Sequence, residues 1–332
     1  MGAEKIVSAN SISKTARIVN SFLLSKLAGN PAQLYKAASH LIEHGGKRLR
    51  PYMVVKSCEI LGGNMKQALA AAASVEMIHN FTLVHDDIMD NDEMRHGVPT
   101  VHMKFGIPVG ILAGDVLFSK AFEIISSESK MPSKVSTALV SSLSKACVDV
   151  CEGQILDIMM AQSQKIPTEN QYVTMIEKKT SALFEVSCAM GAICADKKRK
   201  DVSNLSSFGK NLGIAFQIVD DLIGIIGDSK ITKKPVGNDI REGKKSLPIL
   251  LAINSANKQD KQIILDAFGN TSVSKNEIEV VVRTIRSMGI EKKVRKKAMQ
   301  YSNAARKSLS EYDGSAKKEL VSLLEFVVER SL

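Results

Sequence analysis

The chain has 332 residues, of which 44% are hydrophobic, and a formal net charge of +10. This apolar content is ample for a buried core and favours a soluble globular protein. Lys and Arg are spread along the chain without a nucleic-acid motif or interleaved aromatic residues, so we expect solvated helix faces and no nucleic-acid partner. No apolar run reaches the roughly 18 residues that a membrane-spanning helix needs. The N-terminus lacks the apolar core and cleavage site of a secretory signal, so we expect a cytoplasmic protein without an integral membrane segment.

The five cysteines are odd in number and include no Cys-x-x-Cys pair. This pattern predicts reduced thiols in helices rather than a disulfide framework or a zinc site. Cys147 and Cys151 are spaced to share one helix face, where we expect core packing rather than metal binding.

Helix signals begin in the N-terminal region. Asn30-Pro31 supplies an N-cap and a first-turn proline for a helix that we expect to end at Gly45-Gly46. The longest helical pattern runs from about Met65 to Met94 and is apolar nearly all round between Ala68 and Val84. Such a helix is typical of the centre of a bundle.

Three aspartates, Asp86, Asp87 and Asp90, come at the C-terminal end of this pattern. In a helix with about 3.6 residues per turn, Asp86 and Asp90 present their carboxylates along one line, and Asp87 points about a third of a turn away. Carboxylates that crowd one cavity protonate, turn to solvent or bind divalent metal. Oxygen-only ligands favour magnesium held against a phosphorylated substrate.

The helical pattern continues through the second half of the chain. Apolar residues recur at three- and four-residue spacing, as in Leu139, Leu143, Ala146 and Val150. Alternating strand patterns with Asn-Gly turns are missing, so we expect an all-α fold. Further boundaries are indicated by capping boxes at Thr168 with Gln171 and at Ser274 with Glu277, and by a stop at Gly289.

A second acidic pair, Asp220 and Asp221, lies in the C-terminal half of a helix predicted over Val202 to Ile226. We expect Asp201 to cap this helix and Gly227 to end it. Two helices would then aim carboxylates into one cavity. With no internal repeat or linker, the simplest expectation is a single domain over residues 1–332, a large helical bundle around that cavity.

The segment from Gly227 to Pro248 is rich in Gly and Lys and differs from its neighbours. Its charge fits a mobile lid over phosphate and a solvated loop equally well. The sequence leaves these two alternatives open.

The residues from about His44 to Pro248 resemble the trans-isoprenyl diphosphate synthases, the head-to-tail polyprenyl synthetases. The resemblance rests on seven motifs in order: GGKRLRP, EMIHNFTLVHDDIMDNDEMRHGVPT, LAGDVLF, EGQILD, KKTSALFE, FQIVDDLIG and KPVGNDIREGKKSLP. A lone DDxxD motif would be weak, because paired aspartates at helix ends often serve capping or solubility. Seven motifs in the same order make a chance match very unlikely to arise.

The resemblance implies that Asp86, Asp90 and Asp220 bind several magnesium ions and that Asp87 and Asp221 support them. The same comparison implies binding of isopentenyl diphosphate by Lys47, Arg50 and His79, and of the allylic diphosphate by Arg95, Lys179, Thr180, Gln217, Lys234 and Lys244, with Gln154 and Asp157 beside that pocket. Basic side chains suit these places, because a diphosphate needs several charge-assisted donors.

The chain departs from the family pattern at two positions. Members usually have two arginines after the first acidic motif, whereas this chain has Arg95-His96. His96 can donate to phosphate, but it titrates near neutral pH, so we expect weaker isopentenyl diphosphate binding as pH rises. Gly224 replaces the last aspartate of the second motif, as in archaeal-type members.

The implied reaction is ionisation of an allylic diphosphate, attack by the double bond of isopentenyl diphosphate and loss of a proton. No side-chain base is evident, and in the family the released diphosphate is thought to take this proton. Phe81 lies five residues before Asp86, about 7.5 Å along a helix axis, where it would form a floor that limits product length. FTLVHDD resembles archaeal-type geranylgeranyl diphosphate synthases, although longer products remain open if Phe81 only packs the core.

Other protein classes fit the sequence less well. A class I terpene cyclase has no need of an isopentenyl diphosphate site. The presence of GGKRLRP and His79, which match such a site, therefore argues against a cyclase. A non-catalytic partner subunit would tend to lose its metal-binding aspartates, and both clusters are kept. His85-Asp86 alone is poor support for a phosphohydrolase of HD type. Family resemblance implies a homodimer.

Overall fold

The computed structural model describes residues 3–127, 131–227 and 237–328. Nearly all of these residues lie in helices, which confirms the predicted all-α class. The first elements are α1 (Ala3–Lys26), α2 (Ala32–His44), α3 (Leu49–Glu59), α4 (Met65–Met89), β1 (Met94–Arg95), β2 (Val98–Pro99), α5 (Val101–Phe105) and α6 (Ile107–Ser127). They are followed by α7 (Ser133–Gln162), α8 (Glu169–Ile176), a π-helical turn (Glu177–Ser181), α9 (Ala182–Cys194) and α10 (Arg199–Ile226). The last are α11 (Asn238–Arg241), α12 (Leu247–Ser255), α13 (Lys258–Ala267), α14 (Lys275–Ser287), α15 (Ile290–Ser308) and α16 (Ser315–Val328).

The chain divides into two compact units that alternate along the sequence. The first unit takes the described residues of Met1–Cys147, Leu183–Gly209 and Glu311–Ser322, and the second takes those of Val148–Ala182, Lys210–Ser310 and Leu323–Leu332. Helices α7 and α10 each contribute residues to both units. The single domain expected over residues 1–332 stays a prediction.

Helix α4 is buried on almost every side within the first unit. It packs against α1, α3, α5 and α6, and its residues from Ala70 to Ile78 are all buried. An all-round apolar helix belongs in such an interior. The sequence expectation for this helix is therefore confirmed.

The second unit has its own apolar core. Ile218, Leu222 and Ile225 of α10 are fully buried and belong to one cluster with Leu250 of α12 and Ile285 of α14. This spacing places one apolar side of α10 in the core. The polar side chains of α10 lie on its other side, where they are available for contacts outside the core.

Several helix boundaries match the sequence signals. Helix α2 ends at His44 with Gly45 as its C-cap, and α10 ends directly before Gly227. Reciprocal capping boxes form at Thr168 with Gln171 and at Ser274 with Glu277, and Gly289 has a left-handed φ of 66° just after α14. Local capping chemistry therefore determines these ends.

Three local expectations were wrong. Helix α4 stops at Met89, short of Met94, because the chain reverses through Asn91 with a φ of 54° into the β1–β2 hairpin. Helix α10 begins at Arg199, so Asp201 lies in its first turn rather than at its cap. Pro31 itself occupies the N-cap position of α2, and no side chain caps that end.

All five cysteines lie in helices, and none of them is joined in a disulfide. Cys147 is buried, as expected, but Cys151 is exposed, because α7 turns this position outward. None of the described helices combines the length and apolarity that crossing a bilayer requires.

Thr168→Ala should lower the free energy of unfolding by about 1 kcal/mol, because the backbone N–H of Gln171 loses the Thr168 hydroxyl as its acceptor at the start of α8. Denaturant titration measures the change. Thr174→Ala removes an exposed hydroxyl from the same helix and is the matched control. Equal destabilisation by the two substitutions would contradict the role of the cap.

Candidate active site

The first acidic cluster lies where α4 ends. Asp86 is partly exposed, and Asp90 is the exposed C-cap residue. The Asp90 amide donates to the Asp86 carbonyl at 2.8 Å, so the two residues are one helical turn apart. The two predicted metal ligands of the first unit therefore share one helix end.

Asp87, the middle member of this cluster, is fully buried. Arg95 Nε donates to Asp87 Oδ1 at 2.5 Å, and Asp87 Oδ2 is buried without a hydrogen-bond partner in the described part of the chain. Burial raises the pKa of Asp87 to about 6, although the neighbouring Arg95 charge opposes that rise. The β1–β2 hairpin thus brings Arg95 back to α4, where Asp87 holds its guanidinium.

Arg50 and His79 form a pair in the first unit. The Arg50 guanidinium lies 4.4 Å from the centroid of the Phe184 ring, and its Nη1 is 3.2 Å from His79 Nε2. Burial lowers the pKa of Arg50 to about 10, which leaves it charged at neutral pH. Burial and the Arg50 charge lower the pKa of His79 well below its usual value. Because Arg50 can only donate, His79 Nε2 accepts and the ring proton lies on Nδ1.

Arg48 has a structural role that the motif did not reveal. It is buried in a left-handed conformation with a φ of 50°, and its guanidinium donates to Glu76, Asn20 and the Ile42 carbonyl. These contacts tie the GGKRLRP loop to three helices. Exposed Lys47 and half-buried Arg50 on either side of Arg48 are held by this anchor.

His96 lies beside the same loop. A Cβ added to Gly45 would come within 2.8 Å of the His96 ring, so only glycine allows this approach. Partial burial, followed by the charges of Arg95 and Arg48, lowers the pKa of His96. His96 therefore loses its proton at a lower pH than a solvent-exposed histidine does.

Phe81 lies one turn before His85 on α4. Its ring centroid is 4.7 Å from that of His85 and 5.2 Å from that of Phe118 on α6, and Phe118 in turn lies 5.1 Å from Phe122. Phe81 therefore begins an aromatic row that runs along α6. The family's LAGDVLF motif supplies Phe118 of this row.

In the second unit, Lys179 and Thr180 lie in the π-helical turn between α8 and α9. Lys179 Nζ is 2.6 Å from Asp157 Oδ2 on α7. A Cβ on Gly153 would come within 2.1 Å of the Lys179 backbone nitrogen. The glycine of the EGQILD motif thus lets α7 approach the widened turn, a feature often found at functional sites.

The second acidic pair divides by exposure. Asp220 is partly exposed, whereas Asp221 is buried with 1% exposure. Asp221 accepts hydrogen bonds from Tyr172, Gln217 and Lys244. It is therefore the centre of a polar network, and Tyr172 is a member that the motifs did not reveal.

Asp239 occupies the space beside Gly224. A Cβ on Gly224 would lie 2.5 Å from Asp239 Oδ2, and Asp239 lies 3.6 Å from Lys244 Nζ. The missing side chain of the DDxxG motif is thus matched by a carboxylate from α11. Spacing within the motif alone could not have indicated Asp239.

The structure brings most of the predicted residues together within their own units. Gln154 is partly buried on α7, near the Gly153 contact. Lys234 lies outside the described residues, as do all of positions 228–236 in the segment whose lid or loop character the sequence left open. Across the described ranges, no group of three His, Cys, Asp or Glu side chains is arranged to hold a metal ion.

Comparison with known proteins gives consistent matches. The family model for polyprenyl synthetase matches residues 31–285. Geranylgeranyl diphosphate synthase of Sulfolobus acidocaldarius is 38% identical over 325 residues, covering 97% of this chain and 98% of that protein. Geranylgeranyl pyrophosphate synthetase of Pyrococcus horikoshii superposes with a TM-score of 0.92 at 37% identity, covering 98% of both chains. Geranylfarnesyl diphosphate synthase of Aeropyrum pernix is 36% identical, covering 94% of this chain and 99% of that protein.

The Michaelis constant for isopentenyl diphosphate should rise as the pH rises through the lowered pKa of His96 and level off once its ring is neutral, because the neutral ring loses its charge-assisted contact with phosphate. His96→Arg should lower this Michaelis constant at pH 8 and abolish its rise with pH on the acid side. Initial rates from pH 5.5 to 8.5 provide the comparison, and the Arg variant corrects for titration of the substrate. Identical profiles for both proteins would contradict a phosphate contact by His96.

Gly153→Ala should reduce the rate of condensation at least tenfold, because the added methyl group displaces the turn that carries Lys179. Gly110→Ala is the matched control, since its new methyl group meets the end of Ile88 at 3.1 Å. Steady-state rates at saturating substrates measure both. Full activity of Gly153→Ala would show that this close approach is not required.

Proposed function

Because this chain belongs to the polyprenyl synthetase family, we propose that it condenses isopentenyl diphosphate with dimethylallyl, geranyl and farnesyl diphosphates to give all-trans geranylgeranyl diphosphate. The chain is a prenyltransferase. The observation that carries the proposal is its similarity, over nearly the full length, to proteins named geranylgeranyl diphosphate synthase.

We propose magnesium as the cofactor, with several ions bound by Asp86, Asp90 and Asp220. The available donors are carboxylate oxygens, which magnesium prefers. Magnesium usually takes only one or two carboxylates and completes its shell with water and substrate phosphate, so a preassembled cluster of three is not needed. When bound, it neutralises charge that develops on the departing diphosphate.

The pair of Arg50 and His79 fits a bound diphosphate. Arg50 Nε is buried without a hydrogen-bond partner among the described atoms, and an oxyanion would satisfy this donor. His79 is neutral and offers only its Nδ1 proton. Lys47 and His96 lie on and beside the same loop, and together these residues would hold isopentenyl diphosphate.

The second unit supplies cations and donors for the allylic diphosphate. Asp221, and then Asp239, raise the pKa of Lys244, so this lysine stays charged throughout the physiological range. Lys179 is held by Asp157, and the Thr180 hydroxyl donates to Gln217 Oε1 at 2.8 Å. These ordered groups would stabilise the leaving group as the carbon–oxygen bond breaks.

The remaining step is loss of a proton after the double bond of isopentenyl diphosphate attacks the allylic cation. We propose that the released diphosphate takes this proton. Apolar side chains around the hydrocarbon chain would exclude water, which would otherwise capture the cation. Phe81 would end this path and limit the product to twenty carbons.

We also propose a homodimer. Helix α6 leaves Ile107, Ile111 and Leu112 exposed by 54%, 42% and 54% on the first unit. Adjacent apolar side chains of this kind favour a protein interface. The cytoplasmic location expected from the sequence stays a prediction.

The experiment that tests the function uses purified protein with magnesium, labelled isopentenyl diphosphate and each of the three allylic primers. Product lengths are resolved with and without chelator. A magnesium-dependent product of twenty carbons supports the proposal, and one of twenty-five or more identifies a longer-chain synthase. No elongation from any primer would favour a non-catalytic partner subunit.

Phe81→Ala should shift the products to twenty-five carbons and longer, because removing the ring opens space beneath the aspartates. Phe122→Ala is the matched control, since it shortens the same aromatic row on the far side of Phe118. Chromatography of dephosphorylated products measures chain length. An unchanged product from Phe81→Ala would remove this residue from the role of floor.

A further inference from the structure

We propose that Tyr172 is a positioning residue for the allylic diphosphate, acting through Asp221 on Lys244 and Gln217. The inference rests on the proposed function and deepens the account of the second unit. None of the seven sequence motifs includes Tyr172.

The first link is the contact between Tyr172 and Asp221. Tyr172 lies on α8 with no exposed surface, and its hydroxyl donates to Asp221 Oδ2 at 2.7 Å. Its ring belongs to the apolar core of the second unit, which fixes its orientation. Burial and the Asp221 charge raise the pKa of Tyr172 well above its usual value, so the hydroxyl remains a neutral donor.

The second link is the opposite oxygen of the same carboxylate. Asp221 Oδ1 accepts from Gln217 Nε2 at 2.8 Å and from Lys244 Nζ at 3.0 Å. Tyr172, Gln217 and Lys244 come from α8, α10 and the loop before α12. With both oxygens engaged, the carboxylate cannot rotate without losing at least one donor.

The third link extends to the groups proposed to contact the ligand. Gln217 donates to Asp221 through its amide nitrogen and accepts from the Thr180 hydroxyl through its amide oxygen. This arrangement fixes the amide in one orientation. On the other branch, Lys244 lies between Asp221 and Asp239. One buried carboxylate therefore orders two groups, and Tyr172 orders the carboxylate.

The exposure of the two aspartates supports this division of roles. Asp220 is partly exposed and remains the proposed metal ligand, whereas Asp221 has 1% exposure and three protein donors. A phenylalanine at position 172 would fill the core equally well but leave Asp221 Oδ2 without its donor. The hydroxyl is therefore the part of Tyr172 that matters here.

Tyr172→Phe tests the proposal, with Tyr52→Phe as the matched control. Tyr52 also has no exposed surface, and its hydroxyl donates to the Glu319 carboxylate at 2.5 Å in the first unit. Tyr172→Phe should raise the Michaelis constant for geranyl diphosphate roughly tenfold and leave that for isopentenyl diphosphate within twofold. Tyr52→Phe should leave both constants unchanged. Unchanged geranyl diphosphate binding in Tyr172→Phe, or an equal rise for both substrates, would overturn the proposal.

A double-mutant cycle with Lys244→Met tests the path of the effect. If Tyr172 acts through Asp221 on Lys244, the Michaelis constant for geranyl diphosphate should rise less in the double variant than the product of the two single fold-changes. A fold-change in the double variant equal to that product would show that the two residues act independently, and would overturn the proposed action through Asp221. Thermal unfolding of each variant confirms that it is folded, and condensation by the wild type and Tyr52→Phe separates a failure of this inference from a failure of the proposed function.

Discussion

Burial of one carboxylate in each acidic motif is the constraint on which the rest of the candidate site depends. Asp87 in the first unit and Asp221 in the second are almost completely removed from solvent. An isolated buried carboxylate is costly, so each must find cationic or hydrogen-bonding partners. Asp87 holds Arg95, and Asp221 holds Lys244. The aspartate that cannot reach solvent thus fixes a cation suited to phosphate.

The aspartates within each of the two motifs therefore have unlike surroundings. In the first motif, Asp86 is partly exposed and Asp90 is exposed at the end of α4, while Asp87 is buried. In the second, Asp220 is partly exposed and Asp221 is buried. Helical periodicity makes this division unavoidable, because adjacent residues point about 100° apart. The buried aspartate of each motif contacts a cationic side chain, which is a different task from the metal binding proposed for the more exposed aspartates.

Helix content and several helix ends could be predicted from the sequence, because capping and apolar spacing act over a few residues. The box at Thr168 and the stop at Gly289 follow such local rules. The early end of α4 was missed, although the turn-forming residues Asp90, Asn91 and Asp92 directly after Met89 were a local signal for it.

The supporting contacts of the site were hidden for a different reason. Tyr172 and Asp221 are 49 positions apart, and Arg48 and Glu76 are 28 apart. Such pairs depend on how helices pack, which neither spacing nor a motif specifies. The π-helical turn is similar, because its residues have ordinary helix propensities and only the tertiary contacts select the wider turn.

That turn also bears on how the protein could change over evolutionary time. A π-helical turn differs from an α-helical one by a single extra residue. Deleting one position within Glu177–Ser181 would restore one unbroken helix from Glu169 to Cys194 while taking Lys179 or Thr180 out of register. If Lys179 and Thr180 bind the allylic diphosphate as proposed, a deletion of one codon here would remove that binding while keeping the helical path of the chain.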